Sequence, residues 1–427
     1  MPGRRGRSGT EDEVRGIAIV GAGQAGLQLG LGLLEAGYEV TLVAERRPEE
    51  VRGGRVTSTQ LMFGPALRVE RAAGLALWDD TAPVMPGFEL SHWEPQGQPD
   101  APVHRFAAPL DDEVRSVDQR VKLAAWLELF EERGGRAEYR SVDPADVADL
   151  AAAHDLTVLA TGRGQLSGLF EHDMSWPAHD RPPRTLACFY VHGVAHDDSD
   201  PAAGYVRTTG VPPAGDVIVM RALTVGGPCD IVLFEGRWDG VYDCWGDRPD
   251  VAEGWRRALE LLRTHAPWEY ERFRHAEPTD PGAALYGAIT PTVRLPVAHV
   301  DGDRPVLGMA DALAVHDPIT GQGANNAARA AASYLGAVLE RGDLPFDERW
   351  MRETFGAYWE NARHTHAFTE FMVREPQPEQ VRLVIEAAFA HPEVAHRFAN
   401  GYADPSTYRE WLLDPDGAAA YLAGFAK

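Results

Sequence analysis

The chain is poor in cysteine, in basic charge and in long apolar runs, and each shortage excludes something. Its three cysteines, Cys188, Cys229 and Cys244, include no CxxC pair, so neither a disulfide framework nor a thiolate metal site is expected. They read as small buried side chains in a reducing compartment. Lysine and arginine together number 41 against 64 acidic residues, a formal net charge of −23. Nucleic acid and an anionic membrane both need a basic face, so neither is the expected partner. No uninterrupted apolar run is long enough to span a bilayer. Residues 1–15 are Arg-rich, then acidic, with no apolar centre. They read as a disordered tail rather than a secretory signal, and the expected location is cytoplasmic.

What is present is a globular composition, 44% hydrophobic and 25% charged, in 427 residues. That length predicts more than one core. Residues 16–20, Gly-Ile-Ala-Ile-Val, form a short apolar run suited to a buried parallel strand. A glycine turn follows, then a leucine-rich helix stopped by Gly37, then a second strand at residues 40–44 ending on Glu45. This is a β-α-β unit. The sequence up to about Leu110 reads as mostly irregular, a helix is predicted from about Gln119 to Glu132, and residues 156–160 read as another buried strand. From Arg184 to Gly246 turn residues separate β-rich segments, the pattern of an antiparallel sheet. A small-residue helix is expected near Ala324, and helices beyond Leu344. The expected class is therefore α/β: a Rossmann-like dinucleotide-binding domain, an inserted mainly antiparallel β domain and a C-terminal helical region. The first takes residues 16–72, 115–168 and 290–343; the second takes 73–114 and 169–289; the helical region takes 344–427.

Two loops carry chemistry. In Gly21-Ala22-Gly23-Gln24-Ala25-Gly26 the first glycine permits the bend and the second lets backbone approach a pyrophosphate. The third allows close helix–strand contact, while the helix N-terminus offers aligned N–H donors. Glu45 lies nineteen positions after Gly26, where a carboxylate accepts hydrogen bonds from a ribose diol. The second loop is Asp317-Pro318-Ile319-Thr320-Gly321-Gln322-Gly323-Ala324-Asn325-Asn326, preceded by Gly308-Met309-Ala310-Asp311. Its glycines again precede a helix N-terminus and present N–H groups to an anion. In a flavoprotein this second end faces the pyrimidine edge of the flavin, and Asp311 bonds the ribityl chain or phosphate linkage. The pair of loops points to FAD. His364 and His366, two apart on a helix, diverge and are not expected to share a metal. Trp359, Phe368 and Phe371 read as helix packing.

Together these segments, with Val117-Asp118-Gln119-Arg120 and Leu159-Ala160-Thr161-Gly162, resemble the FAD-dependent styrene and indole monooxygenases, the oxygenase components of two-component systems. The Asp-Pro-x-x-Gly-Gln-Gly-Ala-Asn form of the second loop is the most specific match. Aromatic hydroxylases carry related loops and stand as the competing class. The resemblance implies that Arg120 reaches the FAD phosphates and that Arg55 and Ser58 lie beside the isoalloxazine. It also implies that Pro318 and Gln322 border the flavin face. Gly21, Gly23, Gln24, Ala25, Gly26, Glu45, Arg46, Thr161, Gly162, Asp311, Gly321, Gly323, Ala324 and Asn325 complete the implied cofactor set. The family pattern has an asparagine where Ser58 stands, a departure that bears on pocket polarity.

A second GxGxxG and a redox CxxxxC are missing, which excludes a flavoprotein disulfide reductase. The resemblance implies a separate flavin reductase that supplies reduced FAD, and O2 adding to it to give a flavin hydroperoxide. One oxygen atom then passes to a small apolar aromatic substrate, as epoxide or phenol. A homodimer is the oligomeric state the family suggests. The alternatives are a single-component NAD(P)H-dependent hydroxylase, an N-oxygenase of a biosynthetic pathway, and a non-catalytic flavin-binding protein.

Overall fold

The computed structural model describes residues 14–93, 104–162, 164–197 and 199–425. The tail expected over residues 1–15 thus falls almost wholly outside the described residues. Apolar strands that continue without alternation require a sheet covered on both faces. The chain builds such a sheet from six strands. Their order is Val297–Val300, Arg304–Gly308, Leu156–Leu159, Gly16–Val20, Glu39–Ala44 and Arg136–Tyr139. All neighbours run parallel except the hairpin of the first two. Ile17, Ala18 and Ile19 at its centre have no exposed surface. Helix Gln24–Glu35 lies against helix Gly323–Arg341, closely enough that a Cβ on Gly32 would come within 2.6 Å of the Leu335 side chain. Helix Gln119–Glu132 has the bounds expected from sequence, because the Asp118 carboxylate caps it by accepting from the Arg120 N–H.

The second sheet has nine strands. Its path runs Glu277–Pro278, Thr185–His192, Gly227–Gly236, Gly215–Thr224, Val206–Val211, Met85–His92, His104–Ser116, Leu61–Phe63, and Ala284–Ala288 also pairs with Thr185–His192. It is antiparallel apart from the parallel pairing of Met85–His92 with Val206–Val211. Residues 184–246 supply four of these strands, as their pattern predicts. The described residues of the stretch read as mostly irregular up to Leu110 are instead largely in regular elements. They hold helices Pro48–Arg52 and Gly64–Ala72 and three strands. Met85–His92 is buried on both faces over most of its length, so it lacks the alternation that marks a strand in sequence. Strand Leu61–Phe63, within the first segment assigned to the dinucleotide domain, pairs with residues 114–116 at the edge of the antiparallel sheet.

That sheet is covered on both faces. Phe88, Leu90, Met220 and Ile231 pack against Ile385, Phe398 and Tyr402 of the C-terminal region. On the other side Phe189, Val232 and Phe234 pack against Trp255 and Leu262 of helix Val251–His265. Helix Glu348–Val373 joins the two halves. Its Trp350, Phe355 and Tyr358 belong to the core of the parallel sheet, and its Phe368 and Met372 to that of the antiparallel sheet. Among the described residues no helix is long and apolar enough to cross a membrane.

Candidate functional site

Ligands of an open parallel sheet gather beyond the carboxyl ends of its strands. Val20, Ala44 and Ala160 stand at those ends, and there a cleft of about 910 Å³ opens toward the antiparallel sheet. That size is near the top of the ~300–1,000 Å³ range of ligand sites. One wall carries residues 21–25, Glu45 and Arg46; the opposite wall carries Leu186, Cys188, Leu233 and Leu285. Between them lie Asp311, Pro318, Gly321, Gly323 and Ala324. The lining therefore combines glycine-turn backbone and charged side chains with apolar side chains of the antiparallel sheet.

The three glycines of the first turn are surrounded as their spacing requires. Gly21 has φ +115°, and a Cβ there would collide with the Ala160 carbonyl; a Cβ on Gly26 would collide with the Gly21 carbonyl. Around Gly23 there is open space. Gly23 caps helix Gln24–Glu35 without a side-chain bond, and no acidic residue sits in the first turn. The end of helix Gly323–Arg341 is built alike: its N-cap Gln322 makes no capping bond, the first turn has no acid, and Gly323 faces open space. Two helix ends with free N–H donors thus converge on one cleft, each the positive end of a dipole. Gln24 joins them, its Nε2 donating to the Ala324 carbonyl at 3.2 Å and to Glu70 at 3.2 Å. Glu70 in turn pairs with buried Lys122 at 2.7 Å, although burial pushes the Glu70 carboxyl up despite that partner.

Two further observations fit a bound cofactor. Thr161 Oγ1 and Gln60 Oε1 are buried polar atoms on the cleft wall with no partner among the described residues, and such atoms call for a ligand or water. Gln60 and Ala310, also on the wall, hold φ of 51° and 52°. Positive φ without glycine costs about 1–3 kcal/mol and concentrates at functional sites.

The structure gathers most residues singled out from sequence. Gly21, Gly23, Gln24, Ala25, Glu45, Arg46, Ser58, Thr161, Gly162, Asp311, Pro318, Gly321, Gly323 and Ala324 all wall the cleft. Gly26 sits beneath it, against Gly21. Four others stand elsewhere. Arg120 is buried, with ion pairs to Asp118 and Asp280, both at 2.8 Å, and a 3.0 Å bond to Thr224. Its guanidinium is committed to the seam behind the cleft rather than to a phosphate. Asn325 donates to the carbonyls of Leu61 and Gly321, each at 2.9 Å, and accepts from the Phe63 N–H; it fastens the second loop to the sheet edge. Gln322 turns away, donating to the Tyr402 carbonyl at 2.7 Å. Arg55 is exposed, beside the Gly282 turn.

Sequence reasoning missed Arg140, Gln60 and Glu235. Arg140 follows strand Arg136–Tyr139 and walls the cleft, a place that the strand-end rule could have found. Gln60 and Glu235 have no local signal. His316 also lines the cleft, with His366 behind it at 5.3 Å between rings. Burial pushes His316 down to about 4 and His366 to about 3, so both are neutral imidazoles near pH 7. Burial raises the Cys188 thiol, which stays protonated. Trp359, Phe368 and Phe371 pack against the cores, as expected of a helix-packing set.

The comparisons point one way. The family model "Styrene monooxygenase A putative substrate binding domain" matches residues 162–272. A styrene monooxygenase StyA of Pseudomonas fluorescens is 28% identical over 346 residues, 79% of this chain and 80% of that protein. Another, from a Pseudomonas sp., is 26% identical over 420 residues, 96% of this chain and 98% of that protein. Among solved structures, the flavin-dependent halogenase CmlS superposes with a TM-score of 0.63 at 17% identity, covering 98% of this chain and 71% of its own. That likeness shows the shared fold.

Proposed function

We propose that this chain, which belongs to the styrene monooxygenase family of flavin-dependent monooxygenases, binds FAD along the cleft and oxygenates a small apolar aromatic substrate. Reduced FAD would come from a separate flavin reductase. The observation that carries the reading is the convergence of two uncapped helix ends on one cleft whose other wall is Leu186, Leu233 and Leu285. Glu45 would accept from the adenosine ribose, and the first turn would hold the diphosphate against the N–H donors of its helix. Arg46 lines the same cleft and would offset phosphate charge, while Arg140, also on the lining, is paired with Glu138 and Asp146. Ser58, Pro318 and residues 321–324 would flank the isoalloxazine, with Gln60 and Thr161 offering their unpaired oxygens.

The bound flavin supplies O2 activation and oxygen transfer; the chain supplies orientation and a dry pocket. The leucine wall excludes water and receives an apolar ring. The protonated Cys188 thiol leaves that wall without a thiolate. Asn325, Gln24 and Arg120 act at one remove, by fixing the loops that line the site.

The test is direct. The purified chain, given FAD, a flavin reductase, NADH and styrene or indole, should form the epoxide or indigo. Absence of product from every small aromatic alkene and from indole would remove the substrate assignment. Substrate-accelerated NADPH oxidation without a reductase would replace the two-component reading by a single-component hydroxylase.

A further inference from the structure

Two carboxyls meet at the seam between the sheets. Asp317 opens the second loop on the cleft wall, and Glu235 stands behind it on strand Gly227–Gly236. They are 1% and 0% exposed, and their side chains are within hydrogen-bonding reach of each other. Asp317 Oδ1 accepts from the Ile319 N–H at 3.1 Å. Asp317 Oδ2 and both oxygens of Glu235 find no donor among the described residues. Three buried carboxyl oxygens without a donor cost several kcal/mol if both groups are ionised. One proton placed between them removes the conflict.

We propose that Glu235 carries a proton shared with Asp317 Oδ2, and that Glu235 is thereby a positioning residue for the loop of residues 317–323. The bond spans the two halves of the molecule: Glu235 belongs to the antiparallel sheet, while Asp317 leads into Gly321 and Gly323 at the helix end. The surroundings favour retention of the proton. Arg184 is drawn to Asp216 at 3.3 Å and Glu375 at 3.4 Å, and Arg237 to Glu375 at 2.6 Å. On the Asp317 side, Glu370 adds negative charge and is itself bonded to His179 at 2.8 Å. Five carboxyls therefore face Arg184, Arg237 and His179, while neighbouring His316, Tyr242 and Tyr402 are neutral.

Burial and the charge of Asp317 raise the Glu235 carboxyl well above its ordinary range, which fixes the sign. The clasp is complete at low pH and is lost as pH rises through the raised value. Losing the proton leaves two anions in contact in a dry seam, which pushes the loop away and withdraws the N–H donors at Gly323. Affinity for an anionic dinucleotide should then fall by up to about one decade per pH unit, the slope of one linked proton.

The flavin arm of the test rests on the FAD reading above; the infrared arm does not. Full-length wild type and Glu235→Gln are compared, with Glu235→Met in reserve if the first does not fold. The infrared difference at neutral pH should show a protonated-carboxyl band that shifts in D2O. The buried carboxyls of Glu70 and Glu89 cancel in that subtraction. Fluorescence titration should show FAD affinity falling with rising pH for wild type and level for Glu235→Gln, whose amide still donates to Asp317. Parallel pH profiles, or no difference band, overturn the proposal. If neither protein binds FAD at any pH, the FAD reading fails and the band alone decides whether the proton is shared.

Discussion

Gly23 and Gly26 lie three residues apart in one turn, yet their surroundings assign them different tasks. A Cβ at Gly26 meets the Gly21 carbonyl, which is backbone and cannot yield cheaply. Gly26→Ala should therefore cost about 1–3 kcal/mol of stability, as overpacking does, and lose flavin along with the fold. Gly23 has φ −77° and ψ −179°, which any residue can adopt, and open space around it. Gly23→Ala should leave thermal stability within about 0.5 kcal/mol. The same change should weaken FAD at least about tenfold, some 1.4 kcal/mol, because the methyl fills the cradle. Thermal melts and flavin titration of both variants check this; equal losses of stability would refute the division. At this scale the turn is legible in sequence because glycine spacing alone sets each role. The orientation of Gln322 and Asn325 is not. Both stand at one helix start, and only the neighbours Tyr402 and Leu61, supplied by distant segments, decide which way each side chain turns.

Helix Glu348–Val373 shows how an element can serve two cores and also shape the rear of a site. Its His366 is 2% exposed, lies edge-on to Trp176 at 4.9 Å, and its Nδ1 finds no partner among the described residues. Burial, aided by His316, pushes it down to about 3, whereas an unfolded histidine protonates near ~6.5. A depressed folded value means full stability above the unfolded value and loss as pH falls toward the folded one. Wild type should accordingly lose more stability between about pH 7 and 4.5 than His366→Phe, by roughly 1–3 kcal/mol. Denaturant titrations at the two pH values measure the difference, and parallel losses would show that the ring is not held neutral. Elements closed by local chemistry are readable: Asp118 marks the start of helix Gln119–Glu132. Met85–His92 is not, because one of its two partners is a parallel strand beginning at Val206 and both of its faces are covered.

At the scale of the molecule, the change of pattern near Arg184 announces two kinds of sheet, but not the seam where they meet. The cleft there gathers residues as far apart as 21 and 323 with Leu186 and Leu233, and the seam brings Glu235 behind Asp317, groupings that no local window contains. The same scale raises an electrostatic question, since a chain of formal net charge −23 must admit the anionic dinucleotide proposed for it. The N–H donors of the two helix ends act only within about a turn, and Arg140 is already paired with Glu138 at 3.2 Å and Asp146 at 3.0 Å. Attraction therefore operates after entry, and repulsion operates during approach. Raising ionic strength from about 0.01 to 0.15 M shortens the screening length from ~30 to ~8 Å, which removes the long-range term and spares the contacts. The association rate of FAD should then rise with salt while its dissociation rate holds nearly constant. Stopped-flow flavin fluorescence at several salt concentrations separates the two rates. An association rate that falls with salt would mean that Arg46, on the cleft lining, dominates the local field, and that the net charge of the chain does not govern entry.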